Sequence, residues 1–264
     1  AGIELYYNDL LKGTDGKSLV QADITGQELE NTLSYYIPSI PGCDITLTID
    51  AKIQLIVEQA LNKVMEEQQA KSTTAIIMKA NTGEIVAMST KPSFDLNDVP
   101  RNDPSALLEN VKNKAVVDVY EPGSTFKILT MAATLEENTA NDNSRFYCGG
   151  STTVDGERIK CWRSIGHGSQ TLSEGLANSC NCVFVDLALR LGTDTFYNYF
   201  SAFGLGQKTG IEISGESAGI IMNKDSAKRV DLARMGFGQA IAVTPLQLIT
   251  AVCSAVNGGT LYEP

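Results

Sequence analysis

The sequence predicts an α+β fold, an antiparallel sheet flanked by helices, on three observations. Residues 75–79 and 84–89 are apolar, β-prone runs either side of Ala80-Asn81-Thr82-Gly83, which reads as a hairpin with Asn81 and Gly83 at positive-φ positions. After Asp50, the residues Ile53, Ile56, Val57, Ala60, Leu61, Val64 and Met65 recur at helical spacing and form one apolar face. Further helical blocks follow Pro122 and Thr244, with no internal repeat and no low-complexity tract. The chain has 264 residues, 43% of them hydrophobic and 20% charged, which suits one large domain or two small ones with a full core.

The elements follow in order. Residues 1–42 are polar and turn-rich and read as an irregular leader with one or two short strands, the remnant of a preceding non-catalytic domain. Asp44-Ile45-Thr46-Leu47-Thr48-Ile49 alternates polar and apolar, as a strand does. Asp50 is a helix N-cap, and the apolar stripe behind it is a core-packing face rather than a partner surface. Pro92 opens a long loop reaching Asp103. A helix starts at Pro122 and carries Phe126, Leu129, Ala132, Ala133 and Leu135 mostly on one side. Residues 171–192 are partly helical, and Gly204-Leu205-Gly206 and residues 215–219 are loops. Thr244 caps a last helix with Pro245 at its first position.

Charge narrows the partners. There are 31 acidic and 21 basic residues, a formal net charge of -10, and no basic stripe, so nucleic acid is excluded as a partner. No stretch is long and apolar enough to span a bilayer, and no signal peptide opens the chain. The abrupt start at Ala1 and end at Pro264 read as truncation at both ends of something longer.

One histidine leaves little room for a Ser-His-Asp machine, and no G-x-S-x-G elbow occurs. Serine is otherwise activated by lysine or a metal. Ser124-Thr125-Phe126-Lys127 is an S-x-x-K tetrad directly after Glu121-Pro122-Gly123. On a helix, residues three apart share a face, so Lys127 would lie over the Ser124 hydroxyl. The helix start would favour a developing oxyanion, and burial would lower the Lys127 pKa so that its amine can act as base. Ser179-Cys180-Asn181 places a serine and an asparagine two apart, able to point into one cleft as proton relay and carbonyl holder. Each motif alone occurs widely by chance, and a helix cap is the plain alternative for the second.

In this order and with these flanks, S-x-x-K and S-x-N resemble the class B penicillin-binding proteins, the monofunctional peptidoglycan D,D-transpeptidases. Leu47-Thr48-Ile49-Asp50, Thr82-Gly83-Glu84-Ile85-Val86-Ala87-Met88 and Tyr120-Glu121-Pro122-Gly123-Ser124-Thr125-Phe126-Lys127 carry the resemblance. So do Gly236-Phe237-Gly238-Gln239, Val243-Thr244-Pro245-Leu246-Gln247 and Asn257-Gly258-Gly259, covering most of the chain beyond residue 42. The resemblance implies a penicillin-binding transpeptidase/β-lactamase-like fold over residues 43–264. It implies catalytic Ser124, Lys127, Ser179 and Asn181, with peptidoglycan stem peptides as substrates and β-lactams as acylating agents. No metal or organic cofactor is implied for catalysis. It also implies a site on the extracytoplasmic face of the bacterial membrane, with membrane wall-synthesis proteins as partners of the parent. A serine β-lactamase shares the nucleophile, but no E-x-x-x-N loop is present, and Glu174 and Glu216 have other company. A non-catalytic β-lactam-binding sensor, or a scaffold using residues 1–42 for partner contacts, is a reading from a different class.

The family's third motif, K-T-G on a sheet strand, departs from the pattern. Lys208-Thr209-Gly210 sits in Phe203-Gly204-Leu205-Gly206-Gln207-Lys208-Thr209-Gly210-Ile211, before the F-G-Q and T-P-L-Q segments, and reads as a decoy. The true motif is expected after residue 264. Its strand would supply one oxyanion N–H, a donor worth about 3 kcal/mol, so these 264 residues alone are expected to be poorly active.

Four of six cysteines fall between 148 and 182, beside the lone His167. Cys148, Cys161, His167 and Cys180 suit a structural zinc, with Cys182 or Asp155 as alternative ligands. On a helix Cys180 and Cys182 would face nearly opposite ways, so one alone should ligate. A Cys148–Cys161 disulfide and reduced buried thiols remain open. Cys43 and Cys253 read as scattered core thiols.

Overall fold

The computed structural model describes residues 2–22, 24–27 and 35–264. The chain divides into two compact units, residues 1–47 with 212–214, and residues 48–211 with 215–264. The first unit holds α1 (Ile3–Tyr6), α2 (Asn8–Leu11) and the antiparallel pair β1 (Lys17–Leu19) and β2 (Tyr35–Ile37). The two short strands match expectation, whereas the two single-turn helices were not legible. Residues 28–34 of the leader lie outside the described residues.

The second unit opens with α3 (Ala51–Gln68), capped by the Asp50 carboxylate, which accepts from the backbone N–H of Lys52 and Ile53. The expected strand before it does not form: residues 41–47 pair with no strand. Only Thr48 and Asp50 reach the hairpin, through Thr48 Oγ1 to the Ile85 carbonyl and the Asp50 N–H to the Val86 carbonyl. The hairpin itself is β3 (Thr73–Met78) with β4 (Ile85–Lys91), antiparallel with a bulge at Ile77/Met78. Within its turn Gly83 alone takes positive φ, not Asn81. Val57 and Leu61 of α3 pack on Ala87 of β4, but Ile56 is 64% exposed and Val64 lies on the surface. A two-stranded hairpin covers one side of the helix, so the apolar stripe is wider than the core it meets.

The loop after β4 runs into α4 (Pro104–Asn110) and α5 (Lys114–Val117), neither anticipated. A 3₁₀ turn at Gly123–Phe126 leads into α6 (Lys127–Glu136). Next come four short strands in two antiparallel pairs: β5 (Arg145–Cys148) with β8 (Gly168–Thr171), and β6 (Ser151–Val154) with β7 (Glu157–Lys160). α7 (Leu172–Ala177) follows behind a capping box of Thr171 and Glu174. α8 (Asn181–Ala202) is broken at Gly192, whose φ of 76° no helix accommodates. β9 (Ile220–Ile221) pairs with β10 (Ile241–Ala242), with α9 (Arg229–Met235) between them, and α10 (Pro245–Val256) starts from the expected Thr244 cap. The second unit thus mixes helices with small antiparallel pairs, the predicted α+β class.

α8 is the central helix. Val183, Phe184 and Leu187 pack with Phe146 and Val230 on one side. Ala188, Leu191, Phe196 and Phe200 pack with Phe126 and Leu129 on the other. α9 comes so near that a methyl group on Gly236 would sit 2.5 Å from the Phe184 carbonyl oxygen and 2.6 Å from Ala188 Cβ. The glycine is therefore a packing requirement, not a turn requirement. Gly236→Ala should lower unfolding free energy by about 1–3 kcal/mol, the usual cost of overpacking. A urea midpoint unchanged from wild type would overturn that close approach.

Candidate active site

The S-x-x-K segment is stapled in place before any side chain acts. Tyr120 and Val243 exchange two backbone hydrogen bonds at 3.1 and 3.0 Å, and the Gly123 N–H donates to the Gly238 carbonyl at 2.9 Å. The Glu121 carboxylate accepts from the Ala240 N–H at 2.8 Å, and Thr130 Oγ1 donates to the Gly236 carbonyl at 2.9 Å. These bonds explain why F-G-Q and V-T-P-L-Q stand beside E-P-G-S-T-F-K in one unit. Ser124 lies on the 3₁₀ turn, one turn before α6 and not inside it as the sequence suggested, because Gly123 has φ 57° and cannot open an α-helix. Lys127 is the first residue of α6.

Ser179 and Asn181 arrive from the α7–α8 turn. Ser179 holds the left-handed φ of 48°, a conformation that costs a non-glycine residue of order 1 kcal/mol. Its N–H bonds the Leu176 carbonyl, and the Cys180 N–H bonds the Gly175 carbonyl, so the turn is closed by backbone. The closure turns the Ser179 carbonyl and both motif side chains toward Lys127.

Lys127 is 1% exposed, and its amine joins both motifs. Nζ lies 3.2 Å from Ser124 Oγ, 2.9 Å from Ser179 Oγ, 2.8 Å from Asn181 Oδ1 and 2.8 Å from the Ser179 carbonyl. It also stands 5.4 Å above the centre of the buried Phe184 ring. Burial pulls its pKa from 10.5 down to about 8, with the Cys161 and Cys180 sulfurs pushing weakly the other way. A neutral amine has two N–H bonds, and the two obligate acceptors here are Asn181 Oδ1 and the Ser179 carbonyl. The lone pair then remains for a hydroxyl proton, which is the electronic state a base needs. Asn181 has one N–H engaged with the Lys160 carbonyl at 3.1 Å, leaving one for an incoming carbonyl.

All four predicted chemical residues are thus brought together. Three further contributors were not identified beforehand: Glu121 as backbone anchor, the Lys160 carbonyl, and Trp162, whose Nε1 donates to the Asn178 carbonyl at 2.9 Å. Trp162 is the lone tryptophan and follows Cys161, the one hint the sequence offered.

The Lys208-Thr209-Gly210 tripeptide stays apart. It lies in a loop, where Thr209 donates its N–H to Glu216 at 2.7 Å, and it lines a cavity of about 390 Å³ with Gln247 and residues 261–263. Glu216 is thereby engaged, and Glu174 serves the α7 capping box.

Cys148, Cys161, His167 and Cys180 converge, their ligand atoms all within 4.8 Å of one another. Cys161 Sγ is 4.0 Å from Cys180 Sγ and 3.7 Å from His167 Nδ1. All six thiols are free, so the Cys148–Cys161 disulfide does not form. Cys182 is not turned away as a helical i, i+2 pair would be: its sulfur reaches Cys148 Sγ at 3.5 Å. The reason is that Cys180 is the extended N-cap of α8 (φ −77°, ψ 112°), which breaks helical spacing. Asp155 is excluded as a ligand, since it occupies the β6–β7 turn and pairs with Arg229 at 3.6 Å. Hydrogen bonding from Cys182 lowers the Cys180 thiol against burial, while the same bond pushes Cys182 up. Burial raises Cys161. The core-thiol expectation fails for Cys43, which is exposed, and holds only partly for Cys253, which is half-buried.

Residues 73–264 match the family described as the penicillin binding protein transpeptidase domain. The chain is 43% identical over 264 residues to Stage V sporulation protein D of Bacillus subtilis, covering all of this chain and 40% of that protein. It is 30% identical over 267 residues to Peptidoglycan D,D-transpeptidase FtsI of Escherichia coli K12, covering 43% of that protein. It therefore spans about two fifths of the length of these relatives. The crystal structure of Penicillin Binding Protein 2X from Streptococcus thermophilus superposes with a TM-score of 0.86 at 28% identity, over 99% of this chain and 38% of that one. The serine–lysine–serine–asparagine geometry and these likenesses agree, and the chain belongs to the penicillin-binding protein transpeptidase family.

Proposed function

We propose that this chain supplies the catalytic region of a peptidoglycan D,D-transpeptidase that works through an acyl-serine and is acylated by β-lactams. The observation that carries the reading is the buried Lys127 amine, within hydrogen-bond reach of both the Ser124 and Ser179 hydroxyls. Residues 43–264 are the transpeptidase domain in this reading, and residues 1–42 the remnant of a preceding one.

The steps follow from the contacts. The neutral Lys127 amine takes the Ser124 proton as Oγ bonds to the penultimate carbonyl carbon of a stem peptide ending in D-Ala-D-Ala. The negative oxygen so formed lies near the positive end of α6, and the remaining Asn181 N–H is placed to orient the peptide. The C–N bond then breaks, and the proton passes from Lys127 through Ser179 to the departing D-Ala amine. An amine of a neighbouring stem attacks the acyl ester and gives its proton to Lys127, and as the C–O bond to Ser124 breaks Lys127 passes that proton to Ser124 Oγ, giving the cross-link and the free serine. Side chains alone carry this chemistry; a zinc held by Cys148, Cys161, His167 and Cys180 would brace the site and take no step. Acting on peptidoglycan places the longer parent outside the cytoplasmic membrane, among membrane wall-synthesis proteins. No helix among the described residues is long and apolar enough to cross a membrane.

A β-lactamase would need a carboxylate poised to activate the deacylating water. Glu216 and Glu174, the two weighed for that role, are engaged elsewhere.

Intact-mass measurement after incubation with a fluorescent penicillin should show one adduct, slow to form on these 264 residues and slowly lost, absent in Ser124→Ala. An adduct that persists in Ser124→Ala would overturn the nucleophile, and rapid loss from wild type would restore the lactamase. The acylation rate should rise with pH through about 8, the Lys127 value, and then level, since only the neutral amine accepts the serine proton. A rate still climbing toward 10.5 would mean an unperturbed lysine. Lys127→Ala should slow acylation by roughly a hundredfold or more, and a variant within a fewfold of wild type would sink the base assignment.

A further inference from the structure

We infer that Gln170 and Asn178 are a pair of positioning residues, an amide bridge that holds Ser179 in its left-handed conformation with its hydroxyl at the Lys127 amine. The inference deepens the transpeptidase reading and rests on it for what Ser179 does. The bridge and the turn it holds stand on geometry alone.

The turn closes as a Schellman motif. α7 ends at Ala177, and Asn178 is its C-cap, with φ −80° and ψ −2°. The Ser179 N–H donates to the Leu176 carbonyl and the Cys180 N–H to the Gly175 carbonyl, both at 2.9 Å, which is the paired closure that defines the motif. Its left-handed position falls on Ser179, and glycine is the residue that occupies such a position without strain. Glycine would leave no hydroxyl 2.9 Å from Lys127 Nζ. The chemistry therefore puts a strained residue at this position, and something outside the motif has to hold it there.

α7 does not hold the turn alone. It is six residues long, too short to be stable by itself, and Leu176, Ala177 and Asn178 at its end are exposed. Its buried residues are Leu172 and Gly175, the latter lying against the Val183 side chain, so packing fixes the start and middle of the helix. Hydrogen bonds fix its end. The Asn178 carbonyl accepts from Trp162 Nε1, and Asn178 Nδ2 donates to Gln170 Oε1 at 2.9 Å. Gln170 lies on β8, one residue before the Thr171 N-cap, so its amide ties the entry of α7 to its exit. Trp162 is 66% exposed and Gln170 is 3% exposed. Water competes least for the interior oxygen, which makes Gln170 the firmer of the two holds.

The size of the bond suits the task. A left-handed serine costs, and a side-chain hydrogen bond returns, free energies of the same order. Without the bridge the peptide between Asn178 and Ser179 is free to rotate, and Ser179 can relax to negative φ. Its carbonyl and hydroxyl would then both leave Lys127 Nζ, which they now approach to 2.8 and 2.9 Å. Ser124 and Lys127 would stay in place, since they belong to the 3₁₀ turn and α6, and Asn181 would keep its own hold on the Lys160 carbonyl. The bridge touches no reacting atom. Losing it should therefore lower the rate at saturation and leave the concentration for half-saturation alone.

The test compares Asn178→Ala, which trims an exposed side chain, with Gln170→Leu, which removes the buried acceptor, and with both together. Ser173→Ala, which breaks the α7 bond to Asp142, is the control and should match wild type throughout. In either bridge variant the Ser179 and Cys180 amide protons, followed by nuclear magnetic resonance, should exchange with solvent roughly tenfold faster. Saturating penicillin acylation should slow by roughly fivefold, with the half-saturating concentration within about twofold of wild type. The double variant should be no worse than either single one, because all three lose the same bond. Unchanged exchange and acylation in Asn178→Ala would overturn the inference, whatever Gln170→Leu does to folding. Additive losses in the double variant would overturn the pairing. A loss of acylation that comes from a raised half-saturating concentration would make Asn178 a substrate contact and overturn the positioning role. Faster exchange in the variants with no adduct on any chain, wild type included, would support the bridge while sinking the acyl-serine reading.

Discussion

Everything near the cleft is organised by the burial of one amine. Lys127 is removed from water by α6, α8 and the α7–α8 turn, and an ammonium in that position would be costly without acceptors on several sides. The turn provides them: a backbone carbonyl, an amide oxygen and a hydroxyl, all within 2.9 Å. The same burial that makes the lysine expensive lowers its pKa toward neutrality, which is what a base must have. Holding the acceptors together requires a left-handed serine, and the structure accepts that strain at the place where the two motifs meet.

The scaffold explains why these motifs are far apart in sequence. Lys127 and Ser179 are 52 residues apart, and α8 brings them together by packing on both α6 and α9. Gly236 lets α9 approach α8, and residues 238–243 then return to pin the segment before Ser124 through Gly238, Ala240 and Val243. Gly238, Ala240 and Val243, around the F-G-Q segment and just before T-P-L-Q, thus decide where Ser124 sits through backbone bonds and the Glu121 carboxylate. The intervening strands β5 to β8 make a satellite around the sulfur–imidazole group, tied to the second motif by Asn181 and Trp162.

Legibility followed locality. The Asp50 and Thr244 caps and the β3–β4 hairpin were readable because each rests on hydrogen bonds within a few residues. The strand at residues 44–49 was misjudged because alternation announces a strand but cannot provide its partner. α3 was given too wide a buried face, since periodicity shows which residues could be covered and not how much surface covers them. Cys182 was turned the wrong way because helical spacing was assumed one residue before the helix begins.

By itself the sequence determined the residue types of the site, the α+β class and the candidate nucleophile, because S-x-x-K and S-x-N are local patterns with local geometry. It also picked out the four groups of the sulfur–imidazole cluster by their crowding within a short span. Tertiary structure alone decided that Ser124 sits on a 3₁₀ turn, that Ser179 bends left-handed, and that Asp155 faces Arg229 instead of the cluster. It also decided that Lys127 lies close to both serines at once. These are distances and burials across long sequence separations, set by how α6, α8 and α9 pack, and no short-range pattern contains them.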